Sequence, residues 1–121
     1  MPGTNFLSSA FVADGTVAID RLSDQLHVTR TELALATGLS RDAVSKQSRR
    51  RSNMTQKRLR DLIEIINHAL PWAGSVQQAF AWYRSQPLPS FGDLTAEDLV
   101  KEGRAEDVKA YLNRIGAGGY A

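Results

Sequence analysis

The chain has 121 residues, a length typical of one domain, and no cysteine, so disulfides and thiolate metal sites are excluded. No apolar run approaches the length of a membrane-spanning helix. The N-terminus also lacks the basic start and apolar block of a signal peptide. We therefore expect a cytoplasmic protein without a membrane partner.

The charged residues are distributed unevenly, although the net charge is only +2. Residues 1–60 carry ten basic and five acidic side chains, whereas residues 61–121 carry five basic and eight acidic ones. Within residues 41–60 there are eight bases and one acid. Contact with nucleic-acid phosphates requires such a cluster, but a solvated linker between helices is an alternative interpretation.

The first part of the chain predicts an arm followed by one helix. Residues 1–15 combine glycine with small polar residues and isolated apolar ones, which predicts a flexible arm. From Thr16, apolar residues recur mainly at spacings of three and four, so we expect an amphipathic helix ending near His27. For this lone histidine, exposure or an interaction with the helix dipole is expected rather than chemistry.

The next stretch has the internal spacing of the helix-turn-helix of phage repressors. Ala34 is small where two helices must cross closely, and Gly38 suits a tight turn that requires positive φ. Ser40 can cap a second helix, predicted over residues 41–48, with Val44 facing inward. An ordinary helical hairpin of a small bundle is the alternative.

The helix-turn-helix interpretation makes the second helix the element that reads DNA. The predicted DNA contacts lie on this helix and on the basic run after it: Arg41, Ser45, Lys46, Arg49, Arg50 and Arg51. Gln47 stands where such helices usually carry another apolar residue. We therefore expect the second helix to be weakly held, and shorter or less faithful as a DNA reader than the pattern suggests.

The strongest helical pattern in the chain follows this basic run and completes a first domain at residues 16–70. Its apolar residues repeat at spacings of three and four: Leu59, Leu62, Ile63, Ile66, Ala69 and Leu70. Asn53 or Thr55 can cap this helix, and Pro71 is expected to end it.

Residues 71–121 predict a second, smaller helical lobe. A helix capped by Ser75 leads into a proline-rich turn at residues 85–92, and a short acidic helix capped by Thr95 comes next. The last helix is predicted over residues 104–115, followed by a glycine-containing tail. Since no segment shows strand-like alternation, the predicted fold class is all-α.

Four features follow one another in this second half. They are the tryptophan and proline-rich segment 82–91, the run 92–100, the corner 102–104, and the closing Val108, Leu112, Ile115 and Gly116. In order and spacing they resemble the toxin-binding domain of the Xre/MbcA/ParS family of bacterial antitoxins. The resemblance implies a helix-turn-helix bundle followed by a small helical toxin-binding lobe at residues 71–121.

The family resemblance also implies a partner and a mechanism. The partner would be a RES-domain toxin that acts on NAD, bound by a homodimer of this chain that also binds its operator DNA. In this family the C-terminal end of the antitoxin lies at or over the toxin active site, which makes residues 115–121 the blocking element and Tyr120 its plug. The implied toxin contacts are Tyr111, Arg114, Ile115, Gly118, Gly119, Tyr120 and Ala121.

Two other function classes compete with the antitoxin. A plain dimeric helix-turn-helix repressor would use its C-terminal half only for dimerisation or ligand sensing. An enzyme would need a nucleophile–base–acid set or a phosphate-binding glycine loop, and neither is found. The two histidines are far apart, without carboxylates at ligand spacing. We therefore expect no enzymatic activity, no metal site and no cofactor.

Overall fold

The computed structural model describes residues 10–117, except for the side chains of Gln47, Ser48, Gly116 and Ala117. The described chain is all-α, as predicted. Within it, β-type backbone pairing is limited to two isolated β-bridges. The helices are α1 Ile19–Leu26, α2 Arg30–Thr37, α3 Arg41–Ser45, α4 Gln47–Arg50, α5 Asn53–Ala73, α6 Val76–Ser85, α7 Ala96–Lys101 and α8 Ala105–Ala117, with a 3-10 helix at Pro89–Phe91.

Helix α5 is the central element, because both α6 and α8 pack along it. Its predicted apolar stripe is buried except for Leu70, which is half-buried. Ile65 beside the stripe is buried as well, so the helix has neighbours on more than one side. The buried residues of α1–α3 and α5–α8 form one continuous hydrophobic cluster. Although α5 has 21 residues, neither it nor any other helix among residues 10–117 is long and apolar enough to cross a membrane.

Side-chain caps fix the starts of several helices. Ser40 accepts a hydrogen bond from the Ala43 backbone N–H at the start of α3, and Ser75 accepts one from Gln78 at the start of α6. Thr95 forms a reciprocal capping box with Asp98 at the start of α7. The predicted roles of Ser40, Ser75 and Thr95 are therefore confirmed.

The predicted ends of the central helix are wrong. Its N-cap is Ser52, whose hydroxyl accepts from the Thr55 N–H, rather than Asn53 or Thr55. Pro71 lies inside the helix, which continues to Ala73. A proline this close to the C-terminal end of a helix removes one backbone hydrogen bond, but it does not end the helix. The helix ends instead at Gly74, which takes the left-handed conformation at φ +99°.

The first and last helices also differ from their predicted limits. Helix α1 begins at Ile19 rather than Thr16, because Val17 pairs with Phe11 in an isolated β-bridge and Ala18 has the extended backbone of an N-cap. Ala10 is fully buried there, within the part of the predicted arm that the structure describes. Helix α8 runs past Ile115 and through Gly116 to Ala117, so Gly116 does not terminate it.

Candidate functional site

The connection between α2 and α3 has the geometry that its sequence predicts. Gly38 adopts φ +72°, and the Leu39 N–H returns to the Ala34 carbonyl at 3.0 Å. The residues predicted to face inward are buried: Leu33, Ala34, Leu39 and Val44. The two helices are therefore joined by a tight turn with fixed orientation.

Two donors from elsewhere in the fold hold the end of α2. The Tyr83 hydroxyl donates to the Ala36 carbonyl at 2.6 Å, and Arg58 Nη1 donates to the Thr37 carbonyl at 2.7 Å. Carbonyls at the end of a helix lack partners within it, so both bonds satisfy groups that would otherwise be unpaired. Burial, reinforced by the negative charge of Glu97, raises the pKa of Tyr83 far above its ordinary value, so the phenol stays protonated and donates.

Helix α3 ends at Ser45 instead of Ser48, in agreement with the shorter second helix expected from Gln47. Lys46 has extended backbone angles, φ −94° and ψ 126°, and α4 is a separate single turn after it. The guanidinium Nε of Arg50 donates to the Val44 carbonyl at 2.8 Å, which occupies an acceptor that a continuing helix would use. The interruption falls directly before Gln47, whose side chain is outside the described residues.

Four of the six predicted DNA contacts are exposed around this short helix. They are Arg41, Ser45, Lys46 and Arg49. The Ser45 hydroxyl donates to the Arg41 carbonyl at 2.8 Å, and Lys46 Nζ lies 3.6 Å from an Asp42 carboxylate oxygen. Such exposed ion pairs are weak and exchange readily, so these side chains are accessible to a phosphate.

Arg50, the fifth predicted contact, is largely occupied within the protein. Besides its bond to the Val44 carbonyl, its guanidinium lies 3.6 Å from Asp20, and its own carbonyl accepts from Gln56 at 2.8 Å. Gln56 also accepts from the Val17 N–H at 2.7 Å. Arg50 therefore ties the basic run to α1 and α5, a structural role that the sequence pattern did not predict.

Arg51, the sixth predicted contact, is exposed and paired with Asp14. The guanidinium donates to the carboxylate at 2.7 Å, and Thr16 donates to the same carboxylate. Hydrogen bonds from Thr16 and then Arg51 hold the pKa of Asp14 well below its ordinary value. Five of the six predicted DNA contacts are thus exposed, Lys46 and Arg51 among them in exposed ion pairs, and Arg50 is held within the protein.

Two of the predicted toxin contacts on α8, Tyr111 and Arg114, belong to a row of aromatic and arginine side chains that contact one another. The Tyr111 ring meets Phe91 edge-to-face at 5.9 Å, and the Arg114 guanidinium lies 5.9 Å from the centre of the Tyr111 ring. At the other end, the Arg104 guanidinium lies 5.6 Å from the centre of Phe91. We call Arg104, Phe91, Tyr111 and Arg114 the aromatic–arginine row.

The other predicted toxin contacts are only partly described. Ile115 is half-buried within α8, whereas Gly118, Gly119, Tyr120 and Ala121 lie outside the described residues. Sequence reasoning selected Tyr111 and Arg114 but missed Phe91 and Arg104. Their proximity depends on how the 3-10 helix packs against α8, and no local spacing reveals it.

Two buried carboxylates join neighbouring helices, and one of them anchors α8, which carries Tyr111 and Arg114. Glu97 on α7 lies 2.8 Å from both Arg84 and Lys101, and it joins α6 to α7. Asp61 on α5 accepts from Lys109 of α8 at 2.8 Å. Paired charges of this kind fix the orientation of helices because an unpaired buried charge is costly.

Known proteins add no family assignment to this geometry. Comparisons of the chain with protein-family models, curated proteins and solved structures give no significant match.

Proposed function

We propose that the chain is an antitoxin with two binding surfaces. One surface, on residues 71–121, neutralises a RES-domain toxin that acts on NAD, and the other binds operator DNA through a helix-turn-helix formed by α2 and α3. The chain acts as a homodimer. The observation that carries the proposal is that one small fold places exposed basic side chains around a short helix after a tight turn and also holds an aromatic–arginine row, of which Tyr111 and Arg114 lie on the last helix.

The DNA-binding part of the proposal depends on the exposed side chains of α3. Arg41 and Lys46 are suited to phosphate oxygens, and Ser45 lies on the same helix. A helix of five residues is only about 7.5 Å long and therefore reaches few base pairs. We infer that phosphate contacts supply most of the affinity and that the operator sequence is read at few positions.

The toxin-binding part of the proposal combines the aromatic–arginine row with the tail. Aromatic and arginine side chains dominate the energetics of many interfaces, and here they hold one another before any partner arrives. Tyr120 lies three residues beyond the end of α8 at Ala117, so its backbone reaches at most about 10 Å from the helix. The row would dock on the toxin surface, and the tail would enter the adjacent active-site cleft.

Replacing both Arg41 and Lys46 by alanine is expected to weaken binding to DNA from the upstream region of the gene. Because two phosphate contacts are lost, the slope of log affinity against log salt should fall by about 2. Fluorescence anisotropy with labelled DNA at several salt concentrations measures both quantities. Arg114→Ala is the control, since it removes an exposed arginine outside α3 and the basic run.

Deleting residues 118–121 is expected to abolish neutralisation of the toxin while complex formation persists, because the aromatic–arginine row remains. A RES-type toxin, which we expect to be encoded beside the gene, is co-expressed, and growth is measured together with recovery of the complex by pull-down. Arg41→Ala with Lys46→Ala serves as the control and should neutralise fully. Full neutralisation by the shortened chain would contradict the tail mechanism, and operator binding without any toxin complex would indicate a plain repressor.

A further inference from the structure

We propose that two copies of the chain pair through the corner between α5 and α6. This surface, the tryptophan corner, consists of outward-facing residues at the end of α5 and along α6. Its members are Pro71, Trp72, Gln78, Ala81, Trp82 and Ser85. The inference names the surface of the proposed homodimer and rests on that part of the proposed function alone, not on DNA or toxin binding.

All members of the tryptophan corner except Ser85 lie in the longest uncharged stretch of the chain. Residues 65–83 are 19 consecutive positions without Asp, Glu, Lys or Arg, between Glu64 and Arg84. The chain is 23% charged overall, so about four charges would be expected in a stretch of this length. Charged residues are depleted and aromatic residues enriched at the centres of protein interfaces, whereas ordinary exposed surfaces carry both signs of charge.

The two tryptophans form a preorganised anchor. Trp72 remains 41% exposed, although its ring meets Trp82 edge-to-face at 5.3 Å with an interplanar angle of 84°. Gly74 forms the turn between α5 and α6, and a Cβ at this position would lie 2.9 Å from Gln78 Oε1. A tryptophan whose ring is already held loses little conformational freedom on binding, and tryptophan is the residue type most enriched at interface hot spots.

The outward face of α6 suits a second helix. Gln78, Ala81, Trp82 and Ser85 follow one another at i, i+3, i+4 and i+7, so they share one face of the helix. The opposite face is buried in the core through Ala79, Phe80 and Tyr83. Ala81 is exposed and small, which allows two helices to approach closely at a twofold axis.

Charge identifies a second copy as the occupant. In a twofold interface each residue approaches a symmetric patch of the same composition, so an uncharged patch brings no like charges together and leaves no charge unpaired. The other exposed surfaces described above lack this property. The surface around α3 exposes Arg41, Lys46 and Arg49 against Asp42 alone, so two copies of that surface would repel each other. The aromatic–arginine row carries Arg104 in ion pairs with Asp107 and Glu102, so it is a charged surface.

The test is the oligomeric state of the full chain, measured by sedimentation velocity over a concentration series without DNA or toxin. We expect twice the mass of one 13.3 kDa chain for the wild type. Trp72→Lys and Ala81→Lys should each raise the dimer dissociation constant at least tenfold and shift the protein to the monomer. Leu35→Lys and Met54→Lys are matched controls, because these apolar side chains are 57% and 65% exposed outside the corner, and both should remain dimeric.

Ala81→Lys separates an interface effect from loss of folding. Trp72→Lys removes the contact with Trp82, whereas Ala81→Lys adds a charge to an exposed helical position without deleting a buried group. A dimer that persists in Ala81→Lys overturns the proposed surface, as does equal disruption by Leu35→Lys. A monomeric wild type overturns the homodimer itself. None of these three results tests whether the chain binds DNA or a toxin.

Discussion

We expect Gly38→Ala to lower the free energy of unfolding by about 3–5 kcal/mol and Gly92→Ala by only about 1–2 kcal/mol. Both glycines have similar positive φ angles, +72° and +66°, so both variants carry the left-handed backbone cost. A Cβ at position 92 meets nothing within 4 Å. A Cβ at position 38 lies 2.8 Å from Arg58 Nη1 and 3.2 Å from Lys101 Cγ.

The additional cost at position 38 comes from the bond that the clash breaks. Arg58 must move, and the buried Thr37 carbonyl then loses its charged donor, which costs about 1.5–3 kcal/mol. Urea denaturation of both variants, followed by circular dichroism at 222 nm, measures the difference. Equal destabilisation of Gly38→Ala and Gly92→Ala would show that Arg58 adjusts without loss of its bond.

Lys109→Met is expected to destabilise the protein by about 3 kcal/mol, and Lys57→Met by less than about 1 kcal/mol. Both lysines bond the same carboxylate, that of Asp61, at 2.8 and 2.9 Å. The Lys109 side chain is only 16% exposed, whereas that of Lys57 is 61% exposed. Loss of the buried partner leaves a buried charge poorly compensated, and loss of the exposed partner does not.

The pH dependence of this contact provides a further check. Burial by itself lowers the pKa of Lys109, but hydrogen bonds to Asp61, Glu64 and Glu106 outweigh it and raise the pKa well above the ordinary value of 10.5. A raised pKa means that the stabilisation is complete below the ordinary value and is lost only in strongly alkaline solution. The stability difference between wild type and Lys109→Met should therefore stay constant from about pH 6 to pH 9. A difference that fades within this range would contradict the assignment.

The elements that could be predicted from the sequence are those governed by local patterns. The apolar stripe around Leu62 identified the central helix, and Ser40 and Thr95 identified two helix starts, because periodicity and capping involve residues only a few positions apart. Gly38 was recognised for the same reason. The all-α fold class follows from these local signals.

The features that were not predicted are contacts between residues that lie far apart in the sequence. No local pattern indicates that Asp61, beside the apolar stripe, is buried and bonded by Lys109, 48 positions later. The early end of α3 agrees with the shorter helix expected from Gln47, but the bond from Arg50 to the Val44 carbonyl that accompanies it was not predicted. Arg51, one of the predicted DNA contacts, is exposed and pairs with Asp14, which lies 37 positions earlier and which no local pattern indicates.

The hydrogen-bond donors at the end of α2 limit which segments of this protein can be replaced by those of another protein. Ala36 and Thr37 depend on Tyr83 and Arg58, which lie on α6 and α5. A chimera that joined residues 1–70 to an unrelated partner-binding lobe would keep Arg58 but leave the Ala36 carbonyl without its donor. Under the proposed function, a change of toxin partner is therefore expected to occur by substitutions on the surface of the C-terminal half, with Tyr83 retained.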